Sequence, residues 1–311
     1  MNKKEVIARL KPILDRLSYK HGWLLHKKSL SMAQILIESA WLKSAPGNNC
    51  LGIKVPKVKK NGIWIPSPKI PENRRQLLGT KEWDASKGKY IDTQDWFMNY
   101  PSIEACIESG YIKTLSLDRY KETRECIDWW DATNQIRLDG YATSPVYTDT
   151  LRNIILKEQL YKIDWIRDYD WPLEVNFDWG EFFSPVRFRG ITYSRVIEPP
   201  KERWGNVVDL AEQLQIGRSE IGKPFIITPR GAAGRITEYN YVSGGAKESQ
   251  HLIWNAADIY NPKGYTTYQF YAVMNKKTDC SGYGIGSNFL HIDRRKDKDG
   301  NLIRPKKVWN Y

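Results

Sequence analysis

Two sets of residues in this 311-residue chain have the types and spacing that hydrolytic chemistry needs. The first centres on Glu38, within AQILIESAWLKSAPGNNCLGIK. Helical spacing predicts Ile35 and Trp41 as its neighbours, so a carboxylate beside an apolar wall is expected. Such a wall raises a carboxyl pKa by desolvation and keeps a general acid protonated near neutral pH, as glycosidic cleavage requires at the leaving oxygen. The second set is His251 and Asp258, in SQHLIWNAADI, with His291, in NFLHIDR. Two imidazoles and a carboxylate supply three N/O ligands and leave a fourth position open, the pattern of catalytic zinc. The spacing is not that of HExxH, whose histidines lie one helical turn apart, so a turn or crossing elements must bring His251 and Asp258 together. The chain has four histidines, and two of them hold these positions.

The elements that must position these groups fall into two halves. Apolar residues recur at three and four in VIARLKPILDRL and SMAQILIESAWL, which predicts helices over residues 1 to about 45. A Gly- and Pro-rich segment from Pro46 to Pro71 predicts a loop-rich lobe. Helical patterns return in SIEACIESGYIKTL, around Cys126, and in SPVYTDTLRNIILKEQL, with Ser144 as N-cap and Pro145 at the first helical position. Residues 161–181 turn aromatic and acidic and predict a packed connector between domains. Beyond it, NVVDLAEQLQIGRSEIG predicts a helix, and KPFIITP, TTYQFYAV and NFLHID predict strands, an α+β half.

Composition narrows the field. Apolar residues make up 41% and charged residues 27%, a globular balance, and no run approaches the length of a bilayer-spanning helix. The amino terminus reads as an amphipathic helix without the apolar core of a secretory signal. Four cysteines without a CxxC pair point to reduced thiols rather than a zinc ribbon or disulfide framework. The net charge of +12 is concentrated: residues 1–80 carry 16 basic against 4 acidic residues, and the remainder 32 against 32. Such a pole attracts polyanions, a bacterial wall among them. The KVPKVKK run lacks interleaved aromatics and no nucleic-acid motif accompanies it, so nucleic acid is not expected as a partner.

The first half, through AQILIESAWLKS, NNCLGIK, TKEW at Thr80–Trp83, FMNYPSIEACIESGY and GYATSPVYTDTLRNII, resembles the glucosaminidase family of flagellar muramidase-type hydrolases and autolysins. The resemblance implies a mainly α, lysozyme-like domain over residues 1–160. It also implies Glu38 as catalytic acid, Glu82 as second carboxylate and Tyr141 at the active-site floor. The second half, through GGAKESQH, the six-residue gap to Asp258, and GYGIGSNFLHID, resembles zinc D-alanyl-D-alanine carboxypeptidases, which share the hedgehog fold. That resemblance covers residues 182–311 and implies one Zn²⁺ held by His251, Asp258 and His291, with Arg235 on a substrate carboxylate or the oxyanion. Relatives place a carboxylate three residues before the second histidine. Asn288 stands there, which leaves Asp293 as the available substitute general base or, alternatively, as an acceptor that orients a ligand, and PRGAAGR replaces the usual S-G-Y-R.

A glycan hydrolase joined to a D-amino-acid peptidase implies bacterial peptidoglycan as substrate and a bifunctional wall hydrolase. The absence of a recognisable signal predicts a phage lysin, made in the host cytoplasm and released through a holin or carried in the virion with tail proteins. The alternative is a virion wall-binding protein whose peptidase half has lost catalysis.

Overall fold

The computed structural model describes residues 1–21, 27–84, 86–165, 172–229, 233–304 and 306–311. It divides into two compact units, Met1–Asp164 and Trp165–Tyr311. Among the described residues no helix is long and apolar enough to cross a membrane.

In the first unit, α1 (Lys3–His21) buries Val6, Leu10, Leu14 and Leu17, the stripe of an amphipathic helix. The central helix α2 (Lys28–Glu38) is buried continuously from Ser29 to Leu36. It ends four residues before the predicted Leu42. The Ser39 hydroxyl donates to the Ile35 carbonyl and accepts from the Leu42 N–H at 2.9 Å, giving the backbone a partner that competes with helix. Ala40, Trp41 and Leu42 then take left-handed φ values of 45°, 63° and 59°, a conformation that L-residues rarely adopt in succession. The turn leaves Glu38 at the helix exit.

The predicted loop-rich lobe contains one hairpin and a second follows it, neither of which apolar periodicity revealed. Strands β1 (Lys57–Lys60) and β2 (Ile63–Pro66) are joined by Asn61 and Gly62, both at positive φ, the preference of a two-residue hairpin turn. Strands β3 (Arg75–Asp84) and β4 (Lys89–Met98) pair antiparallel along their whole length. Their alternation is weak because β4 is largely exposed, with Phe97 its buried residue. Residues 53–55 continue onto β4, through Val55 N–H to the Trp96 carbonyl at 2.8 Å and Met98 N–H to the Ile53 carbonyl at 2.9 Å. Two further helices, α3 (Trp129–Leu138) and α4 (Tyr147–Lys157), complete the frame. α4 begins after the predicted Ser144–Pro145 start: Val146 is its N-cap without a side-chain bond, and Ser144 offers its carbonyl to Tyr147 N–H. No disulfide joins any of the four cysteines.

Asp164 closes this unit on the first turn of α2, where its carboxylate accepts from the Ser29 N–H at 2.9 Å and from the Ser29 hydroxyl. Burial pushes its pKa up to about 7 against the pull of those donors. Between the unfolded value near 4 and about 7 the folded state therefore holds a proton that the unfolded state has released. Stability must fall as pH rises through that window, by at most ~1.4 kcal/mol per pH unit for one proton. Thermal melts from pH 5 to pH 8 should show this slope in the wild type and a shallower one in Asp164→Asn; equal slopes would refute the assignment.

The second unit is built on a sheet in the order β12-β10-β11-β9, from β9 (Ala256–Tyr260), β10 (Gly282–Ile285), β11 (Phe289–Asp293) and β12 (Lys307–Asn310). The β10–β12 pair is parallel and the other two pairs are antiparallel. Leu290 and Ile292 of β11 and Ala257 and Ile259 of β9 enter the core with Val207, Leu210 and Leu214 of α5 (Trp204–Ile221). The predicted strand TTYQFYAV is instead helix α7 (Thr267–Lys277). A Thr266–Gln269 capping box starts it, and Phe270 and Met274, four apart, both enter the core. KPFIITP runs extended beside β9, with one bridge between Ile227 and Ile259.

Among the described residues of the aromatic stretch 161–181, those from Trp165 onward belong to the second unit. Strands β5 (Pro172–Glu174) and β6 (Phe177–Asp178) pair with each other, and Phe177 and Trp179 are buried in the second unit's own core, where their large apolar surfaces leave water. The hairpin β7 (Ser184–Phe188) and β8 (Ile191–Ile197) follows, and α6 (Thr237–Val242) precedes the histidine-bearing loop.

Candidate functional site

In the first unit a groove of about 670 Å³ runs between α2 and β3, with Glu38, Gly52, Lys54, Thr80, Arg119 and Tyr141 among its lining residues. Glu38 is exposed to it. The two residues expected to wall this carboxylate are engaged elsewhere: Ile35 is buried in the core, and the Trp41 ring lies beneath the Lys3 ammonium at 4.4 Å. What holds Glu38 is polar. Tyr147 Oη donates to its Oε1 at 3.4 Å and accepts from Gln34 Nε2 at 3.1 Å. Across the groove, Gly52 sits at φ 60°, and a side chain there would approach Glu38 Oε2.

Tyr141 lies in the groove, its ring stacked on Tyr147 at 6.1 Å and edge-on to Tyr120 at 6.2 Å. The structure thus brings Glu38 and Tyr141 together through Tyr147. Sequence reading passed over Tyr147, Gln34 and Arg119, although Tyr147 stands six residues after Tyr141 in the GYATSPVY segment it quoted. Glu82 belongs to β3, paired with Ile91, next to the groove-lining Thr80 and Lys81. Its side chain lies outside the described residues.

In the second unit, strand alternation sends Leu290 and Ile292 into the core and His291 and Asp293 to the opposite face. Antiparallel register sets Asp258 of β9 directly against His291 of β11. His251 arrives from a short helical turn whose backbone is held by its own carbonyl, which accepts from the Arg235 N–H at 2.9 Å. One ligand atom from each of His251, Asp258 and His291 lies within 4.8 Å of the others, and all three side chains are buried. His251 Nε2 is 3.2 Å from His291 Nδ1 and 3.3 Å from Asp258 Oδ1, which is 2.8 Å from His291 Nδ1.

These residues fit a zinc ion: two imidazole nitrogens and one carboxylate oxygen converge on one point, and the outer atoms of Asp258 and His291 are engaged behind it, while His251 Nδ1 is buried without a hydrogen-bond partner. Asp258 Oδ2 accepts from Arg235 Nη2 at 2.8 Å, and His291 Nε2 faces Asp293 Oδ2 at 3.2 Å. Burial alone would push the Asp258 carboxyl up, but the His251 and His291 imidazoles hold it well below the carboxylate range. Burial holds His251 below its ordinary value, whereas hydrogen bonds to Asp258 and Asp293 outweigh burial and raise His291.

The structure sets Asp293 against His291 and Arg295. Its side chain is 0% exposed, bonded to His291 Nε2 and clasped by the Arg295 guanidinium. Burial pushes it up, yet Arg295 and His291 together hold it at about 2. A carboxylate enclosed in this way is suited to orienting a ligand. Arg235 is likewise partly committed to Asp258 rather than free for substrate. Asn288 does line the adjoining cavity. Arg295, unnoticed in the sequence, is the residue that fixes Asp293.

Residues 17–160 match the family model for mannosyl-glycoprotein endo-beta-N-acetylglucosaminidase, and residues 189–293 match peptidase M15. Over 168 residues the chain is 24% identical to the exo-glucosaminidase LytG of Bacillus subtilis (strain 168), covering 51% of this chain and 55% of that protein. The chain therefore spans about half the length of this relative. Among solved structures it is similar to the catalytic domain of the autolysin Auto from Listeria monocytogenes (25% identity, 52% of this chain, 86% of that chain, TM-score 0.39). It is also similar to the C-terminally truncated glycoside hydrolase domain of FlgJ from Salmonella typhimurium (23% identity, 51% and 98%, TM-score 0.37). An N-acetylmuramoyl-L-alanine amidase from Staphylococcus aureus aligns over 84% of this chain and 76% of its own at 18% identity and TM-score 0.40.

Proposed function

The chain carries a glucosaminidase domain followed by a peptidase M15 domain, and on that premise we propose that it hydrolyses two bonds of bacterial peptidoglycan. The glycosidase half cuts the glycan strand at an N-acetylglucosaminyl bond, and the zinc peptidase half cuts the stem or cross-link peptide. The observation that supports this most is the presence in one chain of a carboxylate-bearing groove at Glu38 and a buried His251–Asp258–His291 centre. Amino sugars and D-amino-acid peptides occur together in peptidoglycan, the polymer on which both chemistries would act.

In the groove, Glu38 gives its proton to the leaving glycosidic oxygen, while the Gln34–Tyr147 pair fixes Oε1. Tyr141 provides a ring face for the sugar. Glu82 acts as the second carboxylate, orienting the N-acetyl group or activating water. In the peptidase half, His251, Asp258 and His291 hold the ion, Arg235 holds Asp258, and the Arg295–Asp293 pair holds His291 in the tautomer that leaves Nδ1 free to ligate. When bound, zinc polarises the scissile carbonyl and lowers the pKa of water.

A second reading, a peptidase fold that binds stem peptide without cutting it, is favoured by one feature. Among the described residues lining the cavity beside the centre, Asp258 is the sole carboxylate, and Asn288 occupies the place expected for a general base. We extend the proposal to a phage setting, with the chain released as a lysin or carried in the virion; its presence in purified particles tests the latter. Mass spectrometry of muropeptides released from purified walls tests both bonds at once. Cut strands with intact stems would support the binding reading, and intact strands would overturn the glycosidase assignment.

A further inference from the structure

Beside the histidine centre lies a cavity of about 600 Å³, and one of its walls is the β7–β8 hairpin, which supplies Arg187 and Thr192. Asp258, Arg235 and Asn288 line it as well. In β7 the residues Ser184, Pro185, Val186 and Phe188 are buried, and Arg187 alone is exposed. Its position is pinned from both sides. Arg187 pairs with Thr192 in register, and the two-residue turn through Arg189 and Gly190, at φ 48° and 79°, closes the hairpin.

The charges in this cavity are unequal. Arg235 spends a guanidinium nitrogen on Asp258 Oδ2 at 2.8 Å, and Asp258 is itself a candidate ligand. Among the described residues Arg187 forms no hydrogen bond or ion pair, and the lining offers it no other carboxylate. A planar guanidinium left open in a cavity beside a reacting centre is a carboxylate receptor in waiting, because its donor geometry matches two carboxylate oxygens. Arg187 also lies two residues before the segment that matches the peptidase family, so membership of that family assigns it no role.

We infer that Arg187 is a specificity-determining residue that binds a carboxylate of the substrate peptide close to the scissile bond, so that the peptidase half selects anionic stems. The inference rests on the peptidase reading for its substrate, but not on turnover, since binding alone reports it. Two sources share this chemistry: the free α-carboxylate at the end of a stem, and the side-chain carboxylate of an acidic stem residue.

The test uses the full chain loaded with zinc and synthetic stem peptides in three forms: a free acid, the same peptide as its C-terminal amide, and a peptide whose acidic residue is amidated. Dissociation constants from calorimetry are measured beside KM and kcat, for wild type, Arg187→Gln and Arg187→Lys. Loss of a charge-assisted pair should weaken binding of the preferred carboxylate peptide and raise its KM by about 10- to 100-fold. It should leave kcat within about twofold, with partial rescue by lysine. The amidated form that wild type already binds poorly identifies which carboxylate is read, and Arg187→Gln should leave it unchanged. If Arg187→Gln weakens binding while no protein hydrolyses any peptide, the inference holds and the turnover reading fails. If peptides are cut but acid, amide and variant all bind alike, the inference is overturned and the peptidase reading survives. No binding of any form overturns it too.

Discussion

Glu38→Gln should reduce release of reducing ends from purified walls by about 10²-fold or more, while peptide cleavage and the melting temperature stay at wild-type values. An amide cannot donate the proton that the departing sugar oxygen needs. The substitution is otherwise mild in this setting. Glu38 is exposed to the groove, and Tyr147 Oη, at 3.4 Å, can donate to an amide oxygen as well as to a carboxylate. Nothing buried is left without a partner, so a loss of rate would report chemistry rather than folding. Sugar seated against Gly52 and Tyr141 would displace water from the carboxyl, an environment that the free protein does not supply by itself. Wild-type rates of reducing-end release from a folded Glu38→Gln protein would exclude Glu38 as the acid.

His251→Ala should abolish peptide cleavage and most zinc binding, and glycan cleavage should continue. Removing one of three ligands leaves Asp258 and His291 facing each other, a pair with much lower affinity than the three-ligand set. The local backbone has reason to survive. His251 contributes its carbonyl to the Arg235 and Trp254 N–H groups, at 2.9 Å and 3.2 Å, and alanine keeps that carbonyl. Zinc that binds the native state but not the unfolded chain raises the melting temperature by mass action, so added zinc should stabilise the wild type and leave the variant unmoved. Zinc content, melting with and without the ion, and muropeptide analysis form the measurement. A folded, metal-free variant that still cuts stem peptides would end the zinc-peptidase assignment.

Local sequence carried much of this. The stripe Val6, Leu10, Leu14, Leu17 is the buried face of a helix, and ESAW ahead of NNCLGIK, like GGAKESQH ahead of Asp258, marks the candidate residues that the structure sets in a groove and in a buried centre. It misled where composition and packing compete. TTYQFYAV has the aromatic and β-branched content of a strand, yet the four-residue spacing of Phe270 and Met274 against one core, started by a capping box, decides for helix. The hairpins at 57–66 and 75–98 escaped notice because strands with few buried residues leave little alternation to read.

The sequence by itself marked two halves, a candidate acid at Glu38, and a candidate ligand set of His251, Asp258 and His291. Tertiary structure alone decided what surrounds them. Register of β9 against β11 sets Asp258 beside His291; the Arg295 clasp holds Asp293 against His291; α4 brings Tyr147 to Glu38 across 109 residues; and the β7–β8 hairpin sets Arg187 in the wall of the cavity that Asp258 also lines. The reason is physical: a residue's type and local spacing fix what it can donate or accept, but its partner, its burial and hence its proton affinity depend on chain segments distant in sequence, which only packing brings within hydrogen-bond reach.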